Sequence, residues 1–268
     1  GANGGKQATA DFKDMSGRDI RTKAICILGM GRSGTSSLSR AINFLGAYLG
    51  EEKDIMPPGI CNPEGFWERN DVVLLHDRLL DLMKRNHLTV APLRDNWHRS
   101  VEAAPFREEL AALITKNFKG KELWAWKDPR TSLTLPLWKD VIDELAIELR
   151  CVFAVRNPLD VARSLDKREG SLRYKSFGLW FNYNVSALRA AAGLPVVFVS
   201  YDRLIEDWKR ELGRCAAGLD IPWLEDDSEL RKNMEAFIRP GLRHSASSTD
   251  DLVGSDAPRP VIELYRLL

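Results

Sequence analysis

Paired cysteines are missing from this chain. Its four cysteines, Cys26, Cys61, Cys151 and Cys215, are scattered without a repeated spacing, which excludes a disulfide framework and any C-x-x-C metal or redox motif. Cys26 and Cys151 fall inside apolar runs and are expected as buried free thiols in a reducing, cytoplasmic setting. No apolar run reaches the ~18–20 residues that a membrane-spanning helix needs. Net charge is scarce too, since 39 Lys and Arg against 38 Asp and Glu leave +1. That balance excludes an extended nucleic-acid face but leaves room for one small anion held by a few arginines. The opening Gly1-Ala2-Asn3-Gly4-Gly5 lacks the apolar core of a signal peptide. Residues 1–21 are expected as a disordered arm or cloning remnant, and residues 22–268, without linker or internal repeat, as a single domain.

What the chain does have is alternation. Lys23 to Gly29 (KAICILG) is a short apolar run that ends on glycine. Gly31-Arg32-Ser33-Gly34-Thr35 follows, then a helical pattern through Tyr48 with Leu38, Ile42, Leu45 and Leu49 on one face. Met56 to Gly65, with Pro57, Pro58, Gly59 and Pro63, is expected as loop. Further strands are expected at 122–126, 150–155 and 195–200. Helices are expected over 68–85, 105–117, 133–145, 158–167, 172–192, 202–217 and 226–237, with a last one from Val261. Residues 87–105 are irregular, and 245–256 are polar. Apolar strands alternating with helices predict a three-layer α/β domain, a parallel sheet covered by helices on both faces.

Gly29-Met30-Gly31-Arg32-Ser33-Gly34-Thr35-Ser36 has the outline of a phosphate-binding loop. The N–H groups of such a turn converge on one spot, and the following helix adds its positive end. A nucleotide triphosphatase needs lysine at position 35, followed by Ser or Thr on magnesium. Threonine stands there instead, and the cation lies inside the loop as Arg32. Nor does an apolar strand end directly in a lone aspartate, since Asp128 follows Lys127 and Asp202 follows Ser200-Tyr201. The expected ligand is a 5′-phosphate carrying one further anionic group, with no metal. The bland alternative is a glycine turn that merely lets a helix pack close to a strand.

A second stretch, Val152-Phe153-Ala154-Val155-Arg156-Asn157-Pro158, ends an apolar strand in arginine. Ser164 lies eight residues further on, about two helical turns away. The pair offers a guanidinium fork and a hydroxyl to one anion at the carboxyl edge of the sheet. Together the two stretches resemble the PAPS-dependent sulfotransferases of bacterial type. Arg32-Ser33-Gly34-Thr35-Ser36 is similar to that family's 5′-phosphosulfate loop, and Arg156-Asn157-Pro158 with Ser164 to its 3′-phosphate motif. The resemblance covers most of residues 22–268, although only the motifs are specific. It implies a P-loop-like fold and 3′-phosphoadenosine 5′-phosphosulfate (PAPS) as donor, with adenosine 3′,5′-bisphosphate as product. Gly31, Arg32, Ser33, Gly34, Thr35, Ser36, Arg156 and Ser164 are the implied cofactor contacts.

Sulfuryl transfer to an alcohol needs a base for the acceptor proton and cations for charge on the leaving oxygen. Asn62-Pro63-Glu64-Gly65-Phe66-Trp67-Glu68 resembles the family's aromatic loop, from which its catalytic bases come. Glu68 is the first candidate, because Phe66 and Trp67 are placed to desolvate it. Glu64 is the second and His76 the third. As a first-turn acid, Glu68 is also explained by the helix dipole alone. Lys127-Asp128-Pro129-Arg130 resembles a family Lys-Asp-Pro signature, which implies that Lys127, like Arg32, touches the bridging or sulfuryl oxygens. Asp128 is expected to orient the loop or cap a helix. Trp124 and Trp126 are expected in the core. Arg243 is a further candidate contact for cofactor or acceptor, although the family's full basic glycine motif is absent around it. Tyr201 is expected either near the adenosine or in packing.

The expected reaction is metal-free, in-line sulfuryl transfer to a hydroxyl of a glycan, glycolipid or small metabolite. Trp67 and Trp97 suit stacking on sugar rings. The rival readings are a nucleotide-dependent small-molecule kinase with a degenerate loop and a non-catalytic nucleotide-binding module.

Overall fold

A computed structural model describes residues 22–59, 62, 65–223, 227–238 and 246–268. Residues 1–21, read above as an arm, lie outside the described residues. In chain order the elements are β1 (Lys23–Leu28), α1 (Thr35–Phe44), α2 (Asn70–Leu82), α3 (Ala104–Phe118), β2 (Leu123–Lys127) and α4 (Thr131–Glu144). Then follow β3 (Glu148–Val155), α5 (Pro158–Glu169), α6 (Arg173–Ala190), β4 (Val196–Ser200) and α7 (Tyr201–Glu206). The last are α8 (Trp208–Leu219), α9 (Ser228–Phe237), α10 (Thr249–Val253) and α11 (Arg259–Leu267).

The strands pair in parallel in the order β2-β1-β3-β4. Their period of two sorts side chains cleanly between two cores. Ala24, Cys26, Leu28, Trp124, Trp126, Cys151 and Phe153 pack on one face with Leu110 and Ile114 of α3 and Trp138 of α4. Ile25, Ile27, Ala125, Val152 and Ala154 pack on the other with Leu38 and Ile42 of α1 and Leu212 and Cys215 of α8. The tryptophans expected in the core are there: Trp124 stacks on Phe118 at 4.1 Å and Trp126 on Trp138 at 4.2 Å. A third cluster joins Met30 of the glycine-rich loop after β1 to Leu133, Leu165, Trp180 and Tyr183.

Two expectations need correction. The helix read over 202–217 is broken at Asp207, whose non-helical backbone and side-chain acceptor for the Arg210 N–H start α8 afresh. The stretch read as merely polar contains α10, which opens on a capping box between Ser248 and Asp251.

The strand order also locates the site. From β1 the chain goes to β2 on one side, and from β3 to β4 on the other. The loops after β1 and β3 therefore part at the carboxyl edge, opening the crevice in which parallel sheets bind ligands.

Candidate functional site

The loop after β1 is shaped by two glycines that nothing else can replace. Gly29 has φ +124°, and a Cβ there would lie 2.7 Å from the Ala154 carbonyl oxygen. Gly34 has φ +85°, and its Cβ would lie 2.1 Å from the Tyr201 ring. Gly34 also opens α1, with no side-chain cap and no acidic residue in the first turn. Among the described residues no side chain caps the leading N–H groups of that helix. Ser33 is buried, and its Oγ has no hydrogen-bond partner among the described residues.

Arg32 adopts φ +72°, a left-handed conformation unfavourable to any residue with a Cβ. Two bonds from the β3 side hold it there. Its Nε donates to Ser164 Oγ at 2.8 Å, and its carbonyl accepts from Arg156 Nη1 at 2.9 Å. The two motifs, 124 residues apart, are in direct contact. The sequence paired Ser164 with Arg156, whereas the hydroxyl bonds Arg32.

Arg156 is 9% exposed. Its guanidinium lies 4.7 Å over the Tyr201 ring, and its Nε is buried without a partner. Among the described residues no carboxylate pairs with it. Tyr201 therefore packs against both halves of the crevice, Gly34 on one side and Arg156 on the other. Next along the chain, Asn157 caps α5 by accepting from the Leu159 N–H at 3.0 Å, and Pro158 fits the first turn. The Asn157 amide donates to the carbonyls of Ser247 and Ser248, and buried Asp160 accepts from the Ser247 N–H and hydroxyl at 3.0 and 2.6 Å. These bonds staple the late segment to the start of α5. Arg243, the candidate in that part of the chain, lies outside the described residues.

A second cluster faces α1 from the end of β2. Lys127, 3% exposed, donates from Nζ to Ser36 Oγ at 3.1 Å, the Phe66 carbonyl at 3.0 Å and Glu68 Oε1 at 2.5 Å. All three ammonium protons are used. Ser36 also accepts from Asn62 Nδ2 at 3.1 Å, while the same amide donates to the Gly65 carbonyl at 2.7 Å. Glu68 precedes α2, which starts at Asn70, so the helix dipole alone does not account for it. Its Oε2 takes no protein donor among the described residues. Beside it Trp67 is held at φ +57°, under the Arg40 guanidinium at 4.4 Å. Glu64 lies outside the described residues.

His76 points elsewhere. It is fully buried, and its Nε2 accepts from the Trp138 indole at 2.8 Å, which leaves Nδ1 to donate to Asp128 Oδ2 at 2.9 Å. A ring bonded at both nitrogens and shut off from the crevice orients its neighbours and is no candidate for a base. Asp128 also accepts from the Arg130 backbone and guanidinium, each at 2.9 Å. Burial pushes its pKa up, but the His76 ring and the Arg130 charge overcome it and hold the carboxyl well below the usual range. Trp97, read as a sugar-stacking face, is instead 6% exposed and part of the core.

Sequence reasoning missed Asn62, Tyr201 as a pillar between motifs, and the Asp160 staple.

No family model and no curated protein matches this chain. Solved structures similar to it include three sulfotransferases. The sulfotransferase domain from the curacin biosynthetic pathway is 17% identical, with 79% of this chain and 77% of that one covered and a TM-score of 0.44. The sulfotransferase domain from the Synechococcus PCC 7002 olefin synthase is 15% identical over 94% and 90%, with a TM-score of 0.48. The sulfotransferase STF9 from Mycobacterium avium is 15% identical over 85% and 71%, with a TM-score of 0.49. Likeness at this level carries no catalytic argument, which has to come from the side chains.

Proposed function

We propose that this protein is a sulfotransferase that moves the sulfuryl group of PAPS to a hydroxyl acceptor. Arg156 carries the reading. A guanidinium this deeply buried, without a carboxylate among the described residues, is costly unless an anion from outside meets it. The Tyr201 ring that it covers also packs against Gly34, at a helix N-terminus uncapped among the described residues, a second anion-receptive point. Two such points fit a nucleotide with a 3′-phosphate and a 5′-phosphosulfate.

In this reading Arg156 takes the 3′-phosphate, with Ser164 supporting it through Arg32, and Arg243 is a further contact for cofactor or acceptor. The backbone of Gly31, Arg32, Ser33, Gly34 and Thr35 takes the 5′-phosphosulfate, and the Ser33 hydroxyl supplies a further donor. Ser36 reaches the same group by exchanging one of its present bonds. Glu68 is the base, anchored at Oε1 by Lys127 and open at Oε2, with Glu64 as the alternative. The acceptor oxygen attacks sulfur in line as the bond from sulfur to the phosphate oxygen breaks. Its proton passes to Glu68, and the electron pair stays on the departing bisphosphate. Lys127 and Arg32 stabilise charge on that oxygen, and the transfer needs no metal. A glycan, glycolipid or small-metabolite alcohol is the acceptor class, and the protein works in the cytoplasm.

The test is thermal unfolding with ligand, because only ligands that bind the native state stabilise it. Adenosine 3′,5′-bisphosphate should raise Tm and ADP with magnesium should do little. An equal or larger shift with ATP and magnesium would favour the kinase reading. Labelled PAPS supplied with a panel of alcohols then separates an enzyme from a binding module. Arg156→Ala should weaken the bisphosphate more than AMP, by about 1.5–3 kcal/mol for each charge-assisted bond lost.

A further inference from the structure

The three oxygens around Lys127 are a carboxylate (Glu68 Oε1), a backbone carbonyl (Phe66) and the hydroxyl of Ser36. Such hard oxygen donors are what magnesium takes from proteins, usually one or two carboxylates completed by phosphate oxygens. Ser36 has a particular place among them. It is the second residue after Gly34 at the start of α1, the position from which a phosphate loop in nucleotide triphosphatases offers a hydroxyl to the metal. The carboxylate that would complete a divalent site is also present, as Glu68. What occupies the middle is a fully bonded ammonium, supplied from β2, the strand hydrogen-bonded to β1. Lys127 and Glu68 are 3% and 7% exposed, so this cation is part of the protein's interior.

We infer that the Lys127 ammonium stands in the position that a phosphate loop ordinarily gives to a divalent cation, and so selects a metal-free nucleotide over its metal complex. The inference rests on the reading of the loop as the 5′-anion site but does not depend on sulfuryl transfer. A resident monocation beside the phosphates neutralises part of their charge without a metal. It also repels a second cation that arrives bound to a triphosphate. The selectivity is thus the work of one ion pair, Glu68 with Lys127.

The experiment measures adenosine 3′,5′-bisphosphate affinity with and without about 1 mM Mn²⁺, following free Mn²⁺ by its paramagnetic resonance signal. For the wild-type protein the affinity should stay within about twofold, and the free Mn²⁺ signal should not fall. In Lys127→Ala the oxygens lose their ammonium, so Mn²⁺ should tighten the bisphosphate by about fivefold or more. Lys127→Ala combined with Glu68→Gln should lose that gain. Wild-type affinity tightened about fivefold by Mn²⁺, with bound metal visible, would overturn the inference. So would a folded Lys127→Ala that ignores metal. Should Lys127→Ala fail to fold, Lys127→Met and the wild-type measurement still decide. Absence of bisphosphate binding by the wild type at zero metal would sink the nucleotide reading itself, an outcome distinct from either metal response.

Discussion

Two buried ion-paired clusters leave the end of β2 in different directions, and they start from adjacent residues. Lys127 turns toward the start of α1 and pairs with Glu68, while Asp128 turns toward α2 and α4 and pairs with His76 and Arg130. Burial is similar in both. What differs is saturation. The second cluster closes on itself: both His76 nitrogens and both Asp128 oxygens are bonded within the protein. The first leaves Glu68 Oε2 without a protein donor among the described residues and sits against an uncapped helix N-terminus. A buried titratable group is thus a candidate for chemistry when its hydrogen bonds stop short, and scaffolding when they do not.

The sharpest way to break that comparison is to neutralise one member of each cluster. Glu68→Gln should lower kcat for sulfuryl transfer by about 10²–10⁴, the range for loss of a general base, with bisphosphate affinity nearly unchanged. Glu64→Gln is the control and should lose less. A turnover loss confined to Glu64→Gln would move the base four residues upstream. Unfolding of Glu68→Gln would make that carboxylate scaffolding as well.

Asp128→Ala should show the opposite pattern, retaining nucleotide binding while folded but losing about 3–5 kcal/mol in urea unfolding, the cost of stranding a buried partner. The pH dependence has a definite sign. The folded carboxyl lies below its unfolded value, so its contribution is full above about pH 4 and is lost as pH falls toward the folded value. The stability gap between wild type and Asp128→Asn should therefore narrow in acid. A gap that widens there would contradict the bonding described for Asp128.

The smallest effect tests the staple on the β3 side. Ser248→Ala removes the capping box of α10 and should cost about 1 kcal/mol, measured by the unfolding midpoint. It leaves the Asn157 bonds to backbone carbonyls in place, so bisphosphate affinity should hold. A matching fall in affinity would mean that α10 positions the nucleotide.

The cysteines give a further contrast of inert groups. Burial pushes Cys26 up and Cys215 up to about 12, so neither should react with a thiol reagent at pH 8 until the protein unfolds.

The sequence alone settled whatever is local. Short apolar runs between helical patterns marked four strands, because strands of a parallel sheet buried on both faces read as near-continuous apolar stretches. The glycine pattern marked the turn after β1, since only glycine accepts those backbone angles against Ala154 and Tyr201. Arg156 before Asn157-Pro158 was legible as a strand end followed by a capped helix. Tertiary structure alone decided which groups meet. It put Ser164 on Arg32 rather than on Arg156, enclosed His76 among Asp128, Thr134 and Trp138, and buried Trp97. It also brought Ser36, Phe66, Glu68 and Lys127 around one ammonium. Those residues come from the start of one helix, a loop and the end of a strand up to 91 residues away. Only packing of the helices on both faces of the sheet fixes such distances, because no local preference of the chain encodes them.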